Sequence, residues 1–157
     1  MSAERARGRP APARPRRTFV DTNILVYAHD ASEHRRQPIA AALLRRLWNT
    51  RSGMVSTQVL TEFYNVVTRR LRVPLARRDA RELVSRYAVW PVVQVDTPLI
   101  LAASALEEEH SFSFWDALIV EAARRGGARV LASEDLQHGR RLDTLSIENP
   151  FAPDPIG

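Results

Sequence analysis

The stretch "TFVDTNILVYAHD", Thr18 to Asp30, decides how the chain is read. Thr18–Val20 is apolar and β-prone and predicts a short buried strand, and "ILVYA" behind it predicts the opening of a helix. Between them stand Asp21, Thr22 and Asn23, polar residues where burial is expected. A buried, unpaired carboxylate is too costly to leave without donors, a cation or a raised pKa. An acid directly after a buried strand is therefore a candidate functional residue.

Working outward, the same strand-then-helix pattern recurs. Ile39, Ala42, Leu43 and Leu47 fall at helical spacing and predict a helix over His34–Trp48. "GMVST", Gly53–Thr57, reads as a second strand leading into a helix from Gln58 to Leu71, with Pro74 marking its end. A further helix fits Arg77–Tyr87. "PVVQVD", Pro91–Asp96, reads as a third strand, with Thr97 as N-cap and Pro98 at the first helical position of a helix running toward Glu109. The next helix begins near Ser113 and stops at Gly126–Gly127. Ala128–Ser133 is a fourth strand and Thr144–Ile147 a fifth. Alternating strands and helices predict an α/β fold with a mainly parallel central sheet of four to five strands and helices on both faces. In such sheets ligands sit at the carboxyl ends of the strands.

At 157 residues the chain fits one domain. It has no cysteine, which excludes thiol nucleophiles, thiolate zinc sites, iron–sulfur clusters and disulfide frameworks. It also has no lysine, all 23 basic residues being arginine, which removes Walker A and Schiff-base chemistry. The net charge of +5 is carried by residues 1–17, which hold six arginines and one glutamate, so residues 18–157 balance 17 arginines against 17 acids. The Arg/Pro/Ala-rich extension, 1–17, has no apolar periodicity and is expected to be disordered, a solvated tail being favoured over a basic arm that touches phosphates, with the folded domain over 18–151 and a short tail over 152–157. No signal-type apolar segment and no run near about 20 apolar residues is present, so a soluble, cytoplasmic protein without membrane contact is expected.

Four acids stand out. Asp21 follows the first strand and Asp135 lies two residues beyond the fourth. Glu62 borders the helical stripe of Val59, Phe63 and Val66, and its i+3 and i+4 neighbours are Asn65 and Val66; those of Asp116 are Ile119 and Val120. Neither has the local arginine that marks a surface ion pair. Glu121, with Arg124 and Arg125 at those offsets, reads as a solvated face. Each acid also has an ordinary reading: Asp21 and Asp135 as turn residues, Glu62 as solvent-facing, Asp116 as half of a capping box with Ser113. If the four converge, each carboxylate pair about 4 Å apart would repel by about 4 kcal/mol at an effective dielectric near 20, and the cluster would require a cation. Oxygen donors without His or Cys favour Mg²⁺ or Mn²⁺ over zinc, and such an ion suits phosphodiester hydrolysis.

Taken together, "FVDTNILVYA", "STQVLTEFYNVV", "FSFWDALIVEAA", "VLASEDLQHG" and "IENPF" resemble the PIN domain, in particular the VapC-type ribonuclease toxins of bacterial type II toxin–antitoxin pairs. The resemblance covers most of Thr18–Phe151 and implies a three-layer α/β/α fold. It places the family's acidic quartet on Asp21, Glu62, Asp116 and Asp135, with Asp21 and Asp116 as the most direct metal ligands. It also places Asn23 and Ser133 in supporting positions, with Ser where Thr is commoner. A Mg²⁺-dependent endoribonuclease, an antitoxin partner and a homodimer are implied. Three competing readings are a PIN-like module that binds RNA or a partner without cutting, a metal-free ribonuclease using two of His29, His34, His110 and His138, and an aspartyl phosphatase. His29, His34 and His110 fall near helix ends and loops where solvated rings are expected, His138, three residues after Asp135, could approach substrate but is given no catalytic role, and "DTN" lacks the second aspartate such a phosphatase uses.

Overall fold

The computed structural model describes residues 8, 10 and 16–153. The expected disorder of the extension lies outside the described residues except at Gly8, Pro10, Arg16 and Arg17, and residues 154–157 lie outside them too. The chain runs β1 (Thr18–Val20), α1 (Thr22–Ala28), α2 (Arg36–Asn49), β2 (Gly53–Ser56), α3 (Thr57–Arg69), α4 (Arg77–Tyr87), β3 (Val92–Val93), α5 (Thr97–Glu109), α6 (Phe114–Arg125), β4 (Val130–Ala132), β5 (Arg141–Leu142) and β6 (Leu145–Glu148).

The strands form one sheet in the order β3-β2-β1-β4-β6-β5. β1 is central and pairs in parallel with both β2 and β4, with Phe19 opposite Met54 on one side and Leu131 on the other. Every neighbouring pair is parallel except β5 with β6. A parallel sheet covered on both faces needs strands that are apolar throughout, and β1 and β2 are buried at every position. α6 lies against β2, β3 and β4 with α5 packed on it, while α1 joins α2 to α3 and α3 packs on α4. Phe19, Ile24, Leu25, Phe63, Leu131 and Ile147 are among the fully buried side chains.

α6 ends as its glycine pair requires. The Gly127 N–H donates to Arg124 O and the Ala128 N–H to Ala123 O, both at 3.0 Å, and Gly127 takes φ +74°. This is the Schellman arrangement, which needs a left-handed residue that only glycine adopts without strain. It aims β4 back into the sheet.

The structure departs from the sequence reading in four places. The cap of α5 is Asp96 and not Thr97: the Asp96 carboxylate accepts from Leu99 N at 3.0 Å, so Thr97 and Pro98 open the helix behind it. A carboxylate also suits the positive end of a helix dipole, and Arg125 pairs with it at 2.6 Å. The third strand shrinks to Val92–Val93 because the Val95 N–H leaves the ladder for Thr57 Oγ1, at 3.1 Å. A sixth strand, β5, closes a hairpin through Asp143 at φ +52°, and no Asn-Gly or Asp-Gly pair announces that turn. His29 is not solvated. It packs against Phe63 and Tyr87, its Nε2 sits 2.6 Å from the Tyr87 hydroxyl, and burial, with the Arg86 charge adding to it, lowers its pKa.

Candidate active site

The carboxyl ends of β1 and β4 are adjacent because those strands pair, and the chemistry gathers there. Val20 is the last residue of β1, and Asp21 turns the chain into α1 with extended backbone angles. Its carboxylate is 6% exposed, yet both oxygens are engaged. Oδ1 accepts the Thr22 N–H and Oδ2 accepts the Ser133 hydroxyl, each at 2.7 Å. Ser133, directly after β4, is itself fully buried. The polar interruption of the apolar run is thus a desolvated carboxylate held between two strand ends.

The other three acids arrive from separate elements and line the same pocket, an open cleft of about 320 Å³. Glu62 projects from the second turn of α3, where Oε2 accepts the Thr22 hydroxyl at 2.9 Å and Oε1 accepts the Gln58 amide at 3.1 Å. Asp116 stands in the first turn of α6, its backbone N–H capped by Ser113 Oγ at 3.1 Å, so the capping half of the ordinary reading is present while the residue still lines the pocket. Asp135 is exposed in the loop after β4 and accepts the Asn23 amide at 2.8 Å. Val26, Val66 and Ile119 supply apolar wall, and Trp115, 64% exposed, stands on the rim.

Charge is left over in this cleft. Burial pushes the Asp21 carboxyl up to about 6, against the pull of the Ser133 and Thr22 hydrogen bonds and with the Asp135 and Glu62 charges adding to the rise. Asp116 is also raised, by burial first, with the Ser113 hydroxyl opposing and Asp135 and Glu62 reinforcing. Among the described residues no arginine or histidine lines the pocket. Arg36, packed over the Tyr27 ring, is already committed to Glu134 at 2.7 Å. Among the described residues, then, four carboxylates line one cleft with no protein cation beside them, an arrangement a bound cation would favour.

The donor set suits a hard, oxygen-loving divalent ion. Among the described residues no group of three or more His, Cys, Asp or Glu side chains is placed so that it could by itself hold a metal ion. An all-oxygen donor set without His or Cys would suit a hydrated ion such as Mg²⁺, which keeps several waters and takes only one or two carboxylates directly, better than zinc. Were such an ion bound, the resemblance implies that Asp21 and Asp116 would touch it directly and that Glu62 and Asp135 would complete the pocket, partly through water.

Two contributors, Gln58 and Trp115, were not marked by the sequence, and Thr22, marked only as a polar residue in an apolar run, was not linked to Glu62. Gln58 lies four residues before Glu62 and was legible by helical phase; the Thr22 contact spans 40 residues and was not. His138 does not reach this cleft. Its Nδ1 accepts the Asn149 N–H at 2.9 Å, and it lines a larger cavity of about 690 Å³ beside α2 and β6. None of the four acids lines that cavity, so volume and chemistry select different places, and chemistry locates the candidate site.

Comparisons with known proteins agree with the architecture. The family model described as the PIN domain matches residues 18–142. No curated protein matches the chain in sequence. Among solved structures, the sarcin–ricin-loop-cleaving toxin VapC20 of Mycobacterium tuberculosis is 24% identical with a TM-score of 0.54, covering 73% of this chain and 86% of its own. The VapBC complex of Salmonella typhimurium bound to DNA is 18% identical with a TM-score of 0.59, covering 85% and 98%. A toxin–antitoxin complex from Klebsiella pneumoniae is 15% identical with a TM-score of 0.60, covering 85% and 97%. At these identities the likeness is one of fold.

Proposed function

The chain belongs to the PIN domain family, and on that premise we propose that it is a divalent-metal-dependent endoribonuclease acting as the toxin of a toxin–antitoxin pair. The observation that carries this reading is the convergence of Asp21, Glu62, Asp116 and Asp135 on one cleft at the carboxyl end of a parallel sheet, with no cation among its lining residues. The similar folds named as toxins and toxin–antitoxin complexes support the toxin assignment and an antitoxin partner.

Mg²⁺, or Mn²⁺ in its place, would lower the pKa of an attacking water and offset charge growing on the phosphate. The residues of this chain supply position. Ser133 and the Thr22 N–H fix both oxygens of Asp21, so this carboxylate faces the cleft without reorganising. Thr22 and Gln58 hold Glu62, and Asn23 holds Asp135 at the exposed side, where an RNA strand enters from solvent. Water attack leaves 5′-phosphate and 3′-hydroxyl ends. No histidine lines the cleft to activate a 2′-hydroxyl, which weighs against the metal-free mechanism.

A homodimer and a cytoplasmic setting complete the proposal; among the described residues no helix is long and apolar enough to cross a membrane. The test is cleavage of RNA by the purified protein with and without EDTA, with sequencing of the new 5′ ends. Full activity in EDTA, or cyclic phosphate products, would overturn the nuclease reading. Growth arrest on expression, relieved by the neighbouring small gene, tests the toxin label separately.

A further inference from the structure

The formal neutrality of residues 18–157 hides a local imbalance. Residues 69–78, "RRLRVPLARR", hold five arginines and no acid, a charge of +5 in ten residues. They form the end of α3, the connection and the first turn of α4. Leu71 and Leu75 pack against the core and the Leu75 N–H bonds to Val67 O at 2.8 Å, so the connection is pinned from within. Arg69, Arg70, Arg72, Arg77 and Arg78 all point outward and are exposed. Among the described residues none of the five has a carboxylate within ion-pair distance, whereas Arg36, Arg86, Arg124 and Arg125 all do.

Helix electrostatics explains only part of this run. Arg69 and Arg70 suit the negative end of α3. Arg77 and Arg78 occupy the first two positions of α4, at the positive end where cations are disfavoured, behind an Ala76 cap that offers no side-chain bond; Asp79 is the single acid of that turn. Five like charges held together with two of them on the wrong end of a helix are unfavourable within the monomer, and a polyanion would relieve them.

The run is continuous with the acid cleft. Glu62 and Val66 line the cleft from α3, and Arg69 and Arg70 follow Val66 by three and four residues, on the same side of the helix. From Glu62 to Arg69 is about 10 Å along the axis at 1.5 Å per residue. We infer that the exposed arginines of residues 69–78 bind the phosphate backbone of the RNA substrate beside the nucleotides being cut, delivering the strand to the acids along α3. This rests on the nuclease reading and adds to it a docking track for the substrate. Arginines that touch phosphate position a strand without reading its bases, so the track raises affinity for any sequence.

The test uses the full chain carrying Asp116→Asn, which keeps RNA intact, and a labelled single-stranded RNA oligonucleotide titrated between about 50 and 200 mM salt. Replacing all five arginines by glutamine is expected to weaken binding at least tenfold at the low-salt end and to flatten the salt slope by up to about 3.5, near 0.7 for each phosphate of a single strand that is no longer neutralised. R77Q/R78Q should flatten it by about 1.4, and the equal-charge control R35Q/R45Q should not. With Asp116 intact, the five-arginine variant should raise KM and leave kcat nearly unchanged. Equal slopes for R77Q/R78Q and the control, with cleavage persisting in the wild type, would overturn the track and leave the nuclease standing. Loss of binding only to an acidic protein partner would overturn it too. If the wild type itself neither binds nor cuts RNA, the nuclease reading has failed, and that shows before any arginine is changed.

Discussion

The two ends of α3 carry opposite, uncompensated charge. Among the described residues, Glu62 in its second turn joins Asp21, Asp116 and Asp135 in a cleft with no cation lining it, and at its far end Arg69 and Arg70 begin a run of five arginines with no ion-pair partner. One cluster is anchored on the buried Asp21 and held by hydrogen bonds from Ser133, Thr22, Gln58 and Asn23; the other is exposed and held only through its leucines. The difference separates two tasks. Charge that must be placed to a fraction of an ångström is desolvated and fixed by donors, and charge that must only attract a polymer is left in water on flexible stems.

The comparison breaks most visibly at the buried end. Asp116→Asn and Asp21→Asn should each lower the cleavage rate by roughly 10³-fold or more, about 4 kcal/mol of transition-state stabilisation, while RNA binding measured in the same samples stays near wild type. A matching loss of binding would mean that the acids recognise RNA and do not cut it.

A second break is thermodynamic. Asp21 has its pKa raised from about 3.8 to about 6 in the folded chain, so the folded state holds a proton that the unfolded state releases. In metal-free buffer the stabilising preference for the protonated form is complete below pH about 4 and is lost as pH rises through about 6, a decline on the order of 3 kcal/mol. Asp21→Asn should remove most of that slope and leave metal-free protein more stable at neutral pH than wild type. Chemical denaturation at a series of pH values checks it; an unchanged slope would show that Asp21 is not the charge at issue.

Adding the ion sharpens the contrast further. Mg²⁺ at about one hundred times its dissociation constant should stabilise wild type by about 2.7 kcal/mol, seen as a rise in melting temperature, and should do little for the Asp21→Asn/Asp116→Asn double variant. The smallest expected effect is at the supporting bonds. Thr22→Val removes the hydroxyl on Glu62 and should cost about 1 kcal/mol in kcat/KM, with Asn23→Ala similar through Asp135. Both should leave the salt dependence of RNA binding untouched.

Much of the site was legible because its members are punctuated locally. Asp21 ends an apolar strand, Asp116 stands three residues after the Ser113 cap, and Glu62 lacks an arginine partner one turn away. These signals reach no more than four residues and survive any tertiary context. The same short reach explains the errors. Asp96 outcompeted Thr97 as a cap with an arginine 29 residues distant paired to it, and β5 formed only because β6 was there to pair with.

The sequence by itself determined the kind of protein this is: alternating strands and helices around an apolar β1, four acids without cationic neighbours, and no cysteine or lysine to support other chemistry. Tertiary structure alone decided how those acids are held. Ser133 reaches Asp21 and Asn23 reaches Asp135 across 112 residues, and Thr22 reaches Glu62 across 40. The parallel pairing of β1 with β4 makes the first two bonds possible, and the pairing of β1 with β2, which leads into α3, the third, each by bringing distant strand ends side by side. Hydrogen bonds act over about 3 Å, and no pattern in the linear chain specifies which distant groups packing will bring within that reach.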